Sequence, residues 1–177
     1  MQKTLLEAIP ESVVLPLPLE HTGITLGRMF LPDYLNVVVM RNPYEIFPSV
    51  YNLACHLSKD EVPSNVPPEN IRVWKMIAKM NFVEYTNWAL SISHCCCEGG
   101  FLTKFTDNNT VMLDFNSDFI ETMSRIVKKP LKKIRVNEVP SQKIEWNTET
   151  INAIRDFCYE DFEKYNYRIE GSKYYER

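Results

Sequence analysis

Two kinds of apolar run alternate along this chain. "SVVLPLPLEH" (12–21), "NVVVM" (36–40) and "TVMLDF" (110–115) are short and nearly continuous, with β-branched residues prominent. Such runs read as buried strands, the first closed by prolines, and unbroken apolar strands suit a parallel sheet covered on both faces. Between them lie longer stretches in which apolar residues recur at helical spacing. In "NPYEIFPSVYNLACHLSK" (42–59), Ile46, Val50, Leu53, Ala54 and Leu57 define one face. Pro43 suits a first helical turn, whereas Pro48 predicts a kink or a later helix start.

Three further helices are expected. The stretch 71–92 reads as one amphipathic helix capped by Asn70 or Glu69, after a polar, proline-rich loop over 59–70. "NSDFIETMSRIVKK" (116–129) carries Asn116 or Ser117 as its cap, and 147–167 reads as a final helix opened by Thr148. Ile151, Ile154, Phe157, Cys158 and Phe162 face inward in that last helix. "EGG" (98–100) breaks the chain, and 131–146 is extended or irregular. Strands alternating with helices predict an α/β fold with a mostly parallel sheet, in which ligands bind beyond the carboxyl ends of the strands. His21, Arg41 and the pair Phe115–Asn116 are delivered to that edge.

Arg41 is the residue that asks for an explanation. Burying a guanidinium is costly unless it is paired, and its planar fork matches phosphate oxygens. Ser49, eight positions later, lies one or two turns into the following helix and can add a hydroxyl to the same anion. The turn itself is expected to offer unpaired backbone N–H groups that favour negative charge. The plainer alternative pairs Arg41 with a carboxylate and leaves Ser49 an ordinary helix residue.

The totals narrow the field. At 177 residues with 45% apolar content, the chain is most simply one domain, residues 1–177, with enough material for a core. A net charge of −3 gives no general reason to expect nucleic acid, so an anion site must be local. No run approaches the ~18 apolar residues of a membrane span, and "MQKTLLEAIPES" has no long apolar signal region. Five cysteines, three of them adjacent in "HCCC" (94–97), form neither a disulfide framework nor spaced metal ligands. Asn108-Asn109-Thr110 is a glycosylation triplet, a pattern that often arises by chance and does not fix the compartment. "KKPLKKIR" (128–135) reads as a solvated basic face, and His56 and His94 as structural.

"VVVMRNPYEIFPSVYN" (37–52) resembles the 3′-phosphate-binding segment of the sulfotransferases that use 3′-phosphoadenosine 5′-phosphosulfate (PAPS). In that family a core strand ends in Arg-Asp/Asn-Pro and a Ser eight residues after the Arg completes the grip. Arg41 and Ser49 match in type and spacing, and Tyr51 fits the aromatic that tends to follow. "LPLEH" resembles the strand that brings a catalytic histidine to the acceptor hydroxyl, here His21. The last helix resembles the Golgi galactose 3-O-sulfotransferase branch in its Glu-Thr, Cys, Asp, Tyr pattern.

The resemblance implies a P-loop-like, three-layer α/β fold with a parallel sheet flanked by helices, here N-terminally truncated. "MQKTLLEAIPES" supplies no glycine and no Lys–Ser/Thr turn for the 5′-phosphosulfate, so the chain reads as the C-terminal two-thirds of such an enzyme. The implied reaction moves a sulfuryl group from PAPS, the co-substrate, to a hydroxyl of a glycan or glycolipid. His21 acts as base, Arg41 and Ser49 hold the 3′-phosphate, and no metal takes part. The implied compartment is the Golgi lumen, with the cytoplasm as alternative, and a homodimer is left open. An inactive remnant that binds a nucleotide or another protein is the competing reading. A P-loop nucleotide kinase is disfavoured, because no Walker-type Lys or metal-binding carboxylates can be placed.

Overall fold

The computed structural model describes residues 35–59, 68–94, 98–100, 102–114, 119–131, 139, 144–172 and 174–175. The first expected strand (12–21), with His21, lies outside them, as do Cys95 to Cys97, the caps Asn116 and Ser117, and the basic run beyond Leu131. Among the described residues the fold is mixed α/β, with six α-helices and a two-stranded parallel sheet. The chain divides into two compact units, Met1–Arg41 with Leu102–Val136, and Asn42–Phe101 with Asn137–Arg177.

The first unit is built on strand pairing. Strands β1 (Val37–Met40) and β2 (Val111–Asp114) run parallel, in a register that sets Val37 opposite Val111 and Met40 opposite Asp114. Both expected strands are therefore present and adjacent. Asn36 ties the entry to this pair: its Nδ2 donates to the carbonyl of Phe105 (2.7 Å) and to Thr110 Oγ1 (2.9 Å). Its own carbonyl accepts from Val111 N–H (2.9 Å). All four residues of β1 are half-buried and only Leu113 of β2 is buried, so these strands are less enclosed than their apolar sequences predict. Helix α4 (Phe119–Val127) packs on β2, carries a Glu121–Arg125 pair one turn apart, and ends where Lys128 turns left-handed (φ 53°).

The second unit is built on helices around an aromatic core. It contains α1 (Pro43–Leu57), α2 (Pro68–Ile77), α3 (Phe82–Ser91), α5 (Thr148–Phe157) and α6 (Tyr159–Tyr165). Helix α1 is central, packing against α2, α3 and α5. Phe47, Ile77, Tyr85, Ala89, Ile154 and Cys158 are fully enclosed. Rings form a continuous path: Phe162 to Tyr44 (centroids 5.0 Å), Tyr44 to Trp146 (5.7 Å), Trp146 to Phe82 (5.1 Å) and Phe82 to Tyr51 (5.6 Å). Tyr51 continues to Tyr85 (5.3 Å), Tyr85 to Trp88 (6.2 Å) and Trp88 to His94 (5.0 Å). The first four of these pairs are edge-to-face and the last three tilted, and aromatic pairs stabilise by ~0.5–1.5 kcal/mol beyond the area they bury.

A ring with a polar tip needs a partner for that tip once it leaves water. Three of these rings find backbone carbonyls. Tyr44 donates to Ile151 (3.0 Å), Tyr51 to Met80 (2.8 Å), and Trp146 Nε1 to Tyr174 (2.9 Å). Each bond clips one segment to another while its ring fills the core.

Two expected long helices are each broken in two. The stretch 71–92 divides because Asn81 and Glu84 form a capping box: Asn81 Oδ1 accepts from Glu84 N–H (2.9 Å) and Glu84 Oε2 from Asn81 N–H (2.9 Å). The stretch 147–167 divides at Cys158. There Gly99 enters as a third party. Its N–H donates to Phe157 O (2.8 Å) and its carbonyl accepts from Glu160 N–H (2.6 Å), replacing the helical partners of both groups. The cap of α5 is Asn147, whose side chain accepts from Thr150 N–H (2.7 Å), not Thr148.

Pro48 neither delays nor ends α1, which starts at Pro43 and runs through it. A proline inside a helix leaves the carbonyl four residues back without its N–H donor. Here that carbonyl belongs to Tyr44, and the Ser172 hydroxyl donates to it instead (3.0 Å, buried). The sequence places Ser172 far from Pro48; only the fold brings the substitute donor.

Candidate functional site

The run from β1 into α1 carries the candidate site. Arg41 directly follows the last residue of β1, at the carboxyl end of a parallel pair, as expected. It is half-buried, with its Nε shut off from solvent. The register brings Asp114, the exposed last residue of β2, to the same end of the sheet, opposite the residue before Arg41. Asn42 then caps α1, and Ser49 lies in the helix's second turn. Ser49 is half-buried, and among the described residues its hydroxyl makes no hydrogen bond, so it remains available to a ligand. Arg41 belongs to the first unit and Ser49 to the second.

One expectation about this turn is overturned. The helix start was expected to offer free backbone N–H groups to an anion. Pro43 has none, Tyr44 N–H donates to Asn42 Oδ1 (3.0 Å), and Glu45 and Ile46 N–H both donate to the Asn42 carbonyl (2.8 and 3.1 Å). Asn42 thus satisfies its own helix. Its Nδ2 in turn donates to the carbonyl of Arg168 (2.7 Å), which fixes the cap's orientation. Glu45, also in the first turn, is almost wholly buried. The N–H groups of the first helical turn are therefore not the donors that would hold an anion here.

Arg168, whose backbone carbonyl anchors the Asn42 cap, was not visible in the sequence as a partner of this turn. It lies on an exposed segment beyond α6, and the bond from Asn42 brings it to the start of α1. The only sequence signal was a basic residue in an aromatic tail, which most proteins have.

Tyr51, expected as the aromatic accompanying the phosphate grip, has a structural task. Burial raises its phenol to about 12, and its hydroxyl holds the Met80 carbonyl between α2 and α3. Burial likewise pushes the Cys55 thiol up, despite its hydrogen bond with Tyr51, so this free cysteine stays protonated and unreactive. His94 sits against Trp88 and Tyr85, and burial lowers its pKa, keeping the imidazole neutral. Among the described residues, no three His, Cys, Asp or Glu side chains gather in a way that could hold a metal. Compared with known proteins, the chain matches no family model, no curated protein and no solved structure.

Proposed function

We propose that this chain is sulfotransferase-like and takes PAPS, or the product adenosine 3′,5′-bisphosphate, through Arg41 and Ser49. The two described strands are then part of a P-loop-like, three-layer parallel sheet. The observation that supports the reading is the strand-to-helix passage itself. A parallel strand ends, an arginine follows at once, and a helix opens two residues later with a serine in its second turn whose hydroxyl makes no hydrogen bond among the described residues. That is the order a 3′-phosphate grip requires. Since Asn42 consumes the first-turn N–H groups, the grip consists of a guanidinium fork and a hydroxyl, both charge-assisted donors to phosphate oxygens.

The reaction is in-line transfer of a sulfuryl group to a hydroxyl of a glycan or glycolipid, in the Golgi lumen. Charge spreads over the equatorial oxygens, so positioning and electrostatics carry the catalysis, as in phosphoryl transfer. His21 receives the acceptor's proton, a role suited to an imidazole with an ordinary pKa of ~6.5. Among the described residues, no helix is long and apolar enough to cross a membrane.

The test is a thermal melt of the purified chain with adenosine 3′,5′-bisphosphate. A ligand at 100 times its dissociation constant stabilises by ~2.7 kcal/mol, which is easily read as a rise in Tm. Arg41→Ala is expected to abolish the rise and Ser49→Ala to reduce it. An undiminished rise in Arg41→Ala, or none in the parent chain, overturns the reading.

A further inference from the structure

The triplet Asn108-Asn109-Thr110 has no part in the proposed grip, and its acceptor differs from five of the described asparagines. Asn42 and Asn52 are buried, and Asn36, Asn81 and Asn147 spend their amides on turns and caps. Asn108 is exposed at the tip of the turn that leads into β2, and among the described residues its side chain makes no hydrogen bond. It is also the acceptor position of the chain's single Asn-X-Ser/Thr triplet.

Among the described residues, the turn is tied through its two ends. Thr110 N–H donates to the Asp107 carbonyl (3.2 Å), closing a four-residue turn, and Asn109 N–H donates to Asp107 Oδ1 (2.9 Å). The Thr110 hydroxyl donates to Asp107 Oδ1 (2.8 Å) while accepting from Asp107 N–H (2.9 Å) and Asn36 Nδ2 (2.9 Å). None of these bonds involves the Asn108 side chain. A bulky group there leaves the β1–β2 pairing, which starts at Val111, intact.

We infer that Asn108 is an N-linked glycan acceptor, used before this turn closes. The co-reactant is an oligosaccharide joined through a diphosphate to a polyprenyl lipid. The Asn108 amide nitrogen bonds to the sugar's anomeric carbon and gives up one proton. The bond from that carbon to the diphosphate oxygen breaks, and the lipid diphosphate leaves with the electron pair. The timing follows from the threonine. The triplet is recognised through the hydroxyl two residues after the acceptor, and in the folded turn that hydroxyl is committed as donor once and as acceptor twice. The nascent chain is therefore a substrate and the folded chain is not. The finished protein then carries the glycan on a surface tip, as such bulky, solubilising groups require.

This inference rests on the proposed luminal location only for its occurrence in the cell. The experiment supplies that location independently. The full chain is expressed in eukaryotic cells behind an added secretion signal, and total lysate and medium are analysed. The expected result is a species that moves faster after peptide N-glycosidase, with Asn108 itself converted to aspartate in the peptide mass spectrum. Asn108→Gln removes that species, and Asn109→Gln, which preserves the triplet, retains it. Purified unglycosylated chain, folded and then offered to oligosaccharyltransferase with lipid-linked donor, is expected to remain unmodified. Absence of the glycosidase-sensitive species in the parent chain, its persistence in Asn108→Gln, or modification of the folded chain overturns the inference. Failure of the bisphosphate melt leaves it untouched.

Discussion

The two units of this protein hold themselves together by different means. In the first, the described framework is a pair of four-residue parallel strands, one helix and a turn laced by Asn36, Asp107 and Thr110. Its buried described residues are few: Leu102, Thr106, Leu113 and Met123. In the second, a train of aromatic rings links α1, α3 and α6, and the polar tips of Tyr44, Tyr51 and Trp146 each grip a backbone carbonyl. A two-stranded sheet depends on neighbouring elements for its stability, whereas a packed aromatic core supplies its own. All three tryptophans, Trp74, Trp88 and Trp146, fall in the second unit, so their fluorescence reports that unit alone. The strands are read separately, by amide exchange at β2.

The largest expected effect comes from emptying the ring train. Tyr85→Ala, at a fully buried position between Tyr51 and Trp88, is expected to cost ~3–5 kcal/mol in denaturant unfolding followed by tryptophan fluorescence. If it costs no more than an exposed substitution, the aromatic core does not organise the second unit. Gly100→Ala follows. A methyl group there runs into Asp161 Oδ1 and lies 3.0 Å from Asp161 N, with Asp161 itself buried, and overpacking of this kind costs ~1–3 kcal/mol. An unchanged midpoint means that the 98–100 segment is not pressed onto α6.

Ser172→Ala is expected to cost ~1–2 kcal/mol, because the Tyr44 carbonyl then loses the donor that replaces Pro48's missing N–H. The check is the double variant with Pro48→Ala, which restores a helical donor. There the serine's loss is expected to matter less, and equal costs in both backgrounds refute the substitution of one donor for another.

The effects of pH have signs set by burial. Tyr44 and Tyr51 are raised to about 12, chiefly by desolvation, so the folded state holds their protons where the unfolded chain, at about 10, releases them. Their contribution is complete below pH 10 and is lost as pH rises from about 10 to about 12. His94 has the opposite sense: its lowered pKa means that its contribution is present above ~6.5 and is lost as pH falls below it. Fluorescence-monitored melts across pH are expected to show both losses in the second unit. Stability rising from pH 10 to 12 contradicts the burial of the two tyrosines.

The legible parts of the fold were those governed by neighbours in sequence. Strands 37–40 and 111–114 announced themselves by short, nearly continuous apolar runs, and α1 by its periodicity and its Asn-Pro start. The capping box of Asn81 and Glu84 was equally local and could have been read from "NFVE", but an apolar pattern that continued on both sides hid it. Of the candidate site, Arg41's position after the strand was legible. The exhaustion of the helix-start N–H groups by Asn42 was not, because whether a cap serves its own helix or leaves donors free depends on side-chain rotamer and on a partner as distant as Arg168.

Sequence alone therefore determined where regular structure begins, since caps, prolines and apolar spacing act within a turn or two of the chain. It also determined the residue types available for anion chemistry, Arg41 and Ser49 among them. Tertiary structure decided what interrupts or completes those elements. Gly99 splits a helix by taking two of its backbone partners, and Ser172 repairs another that Pro48 should have broken. The reason is common to both. A backbone polar group buried in the fold must be bonded, and the group that satisfies it can come from any part of the chain that packing brings within 3 Å.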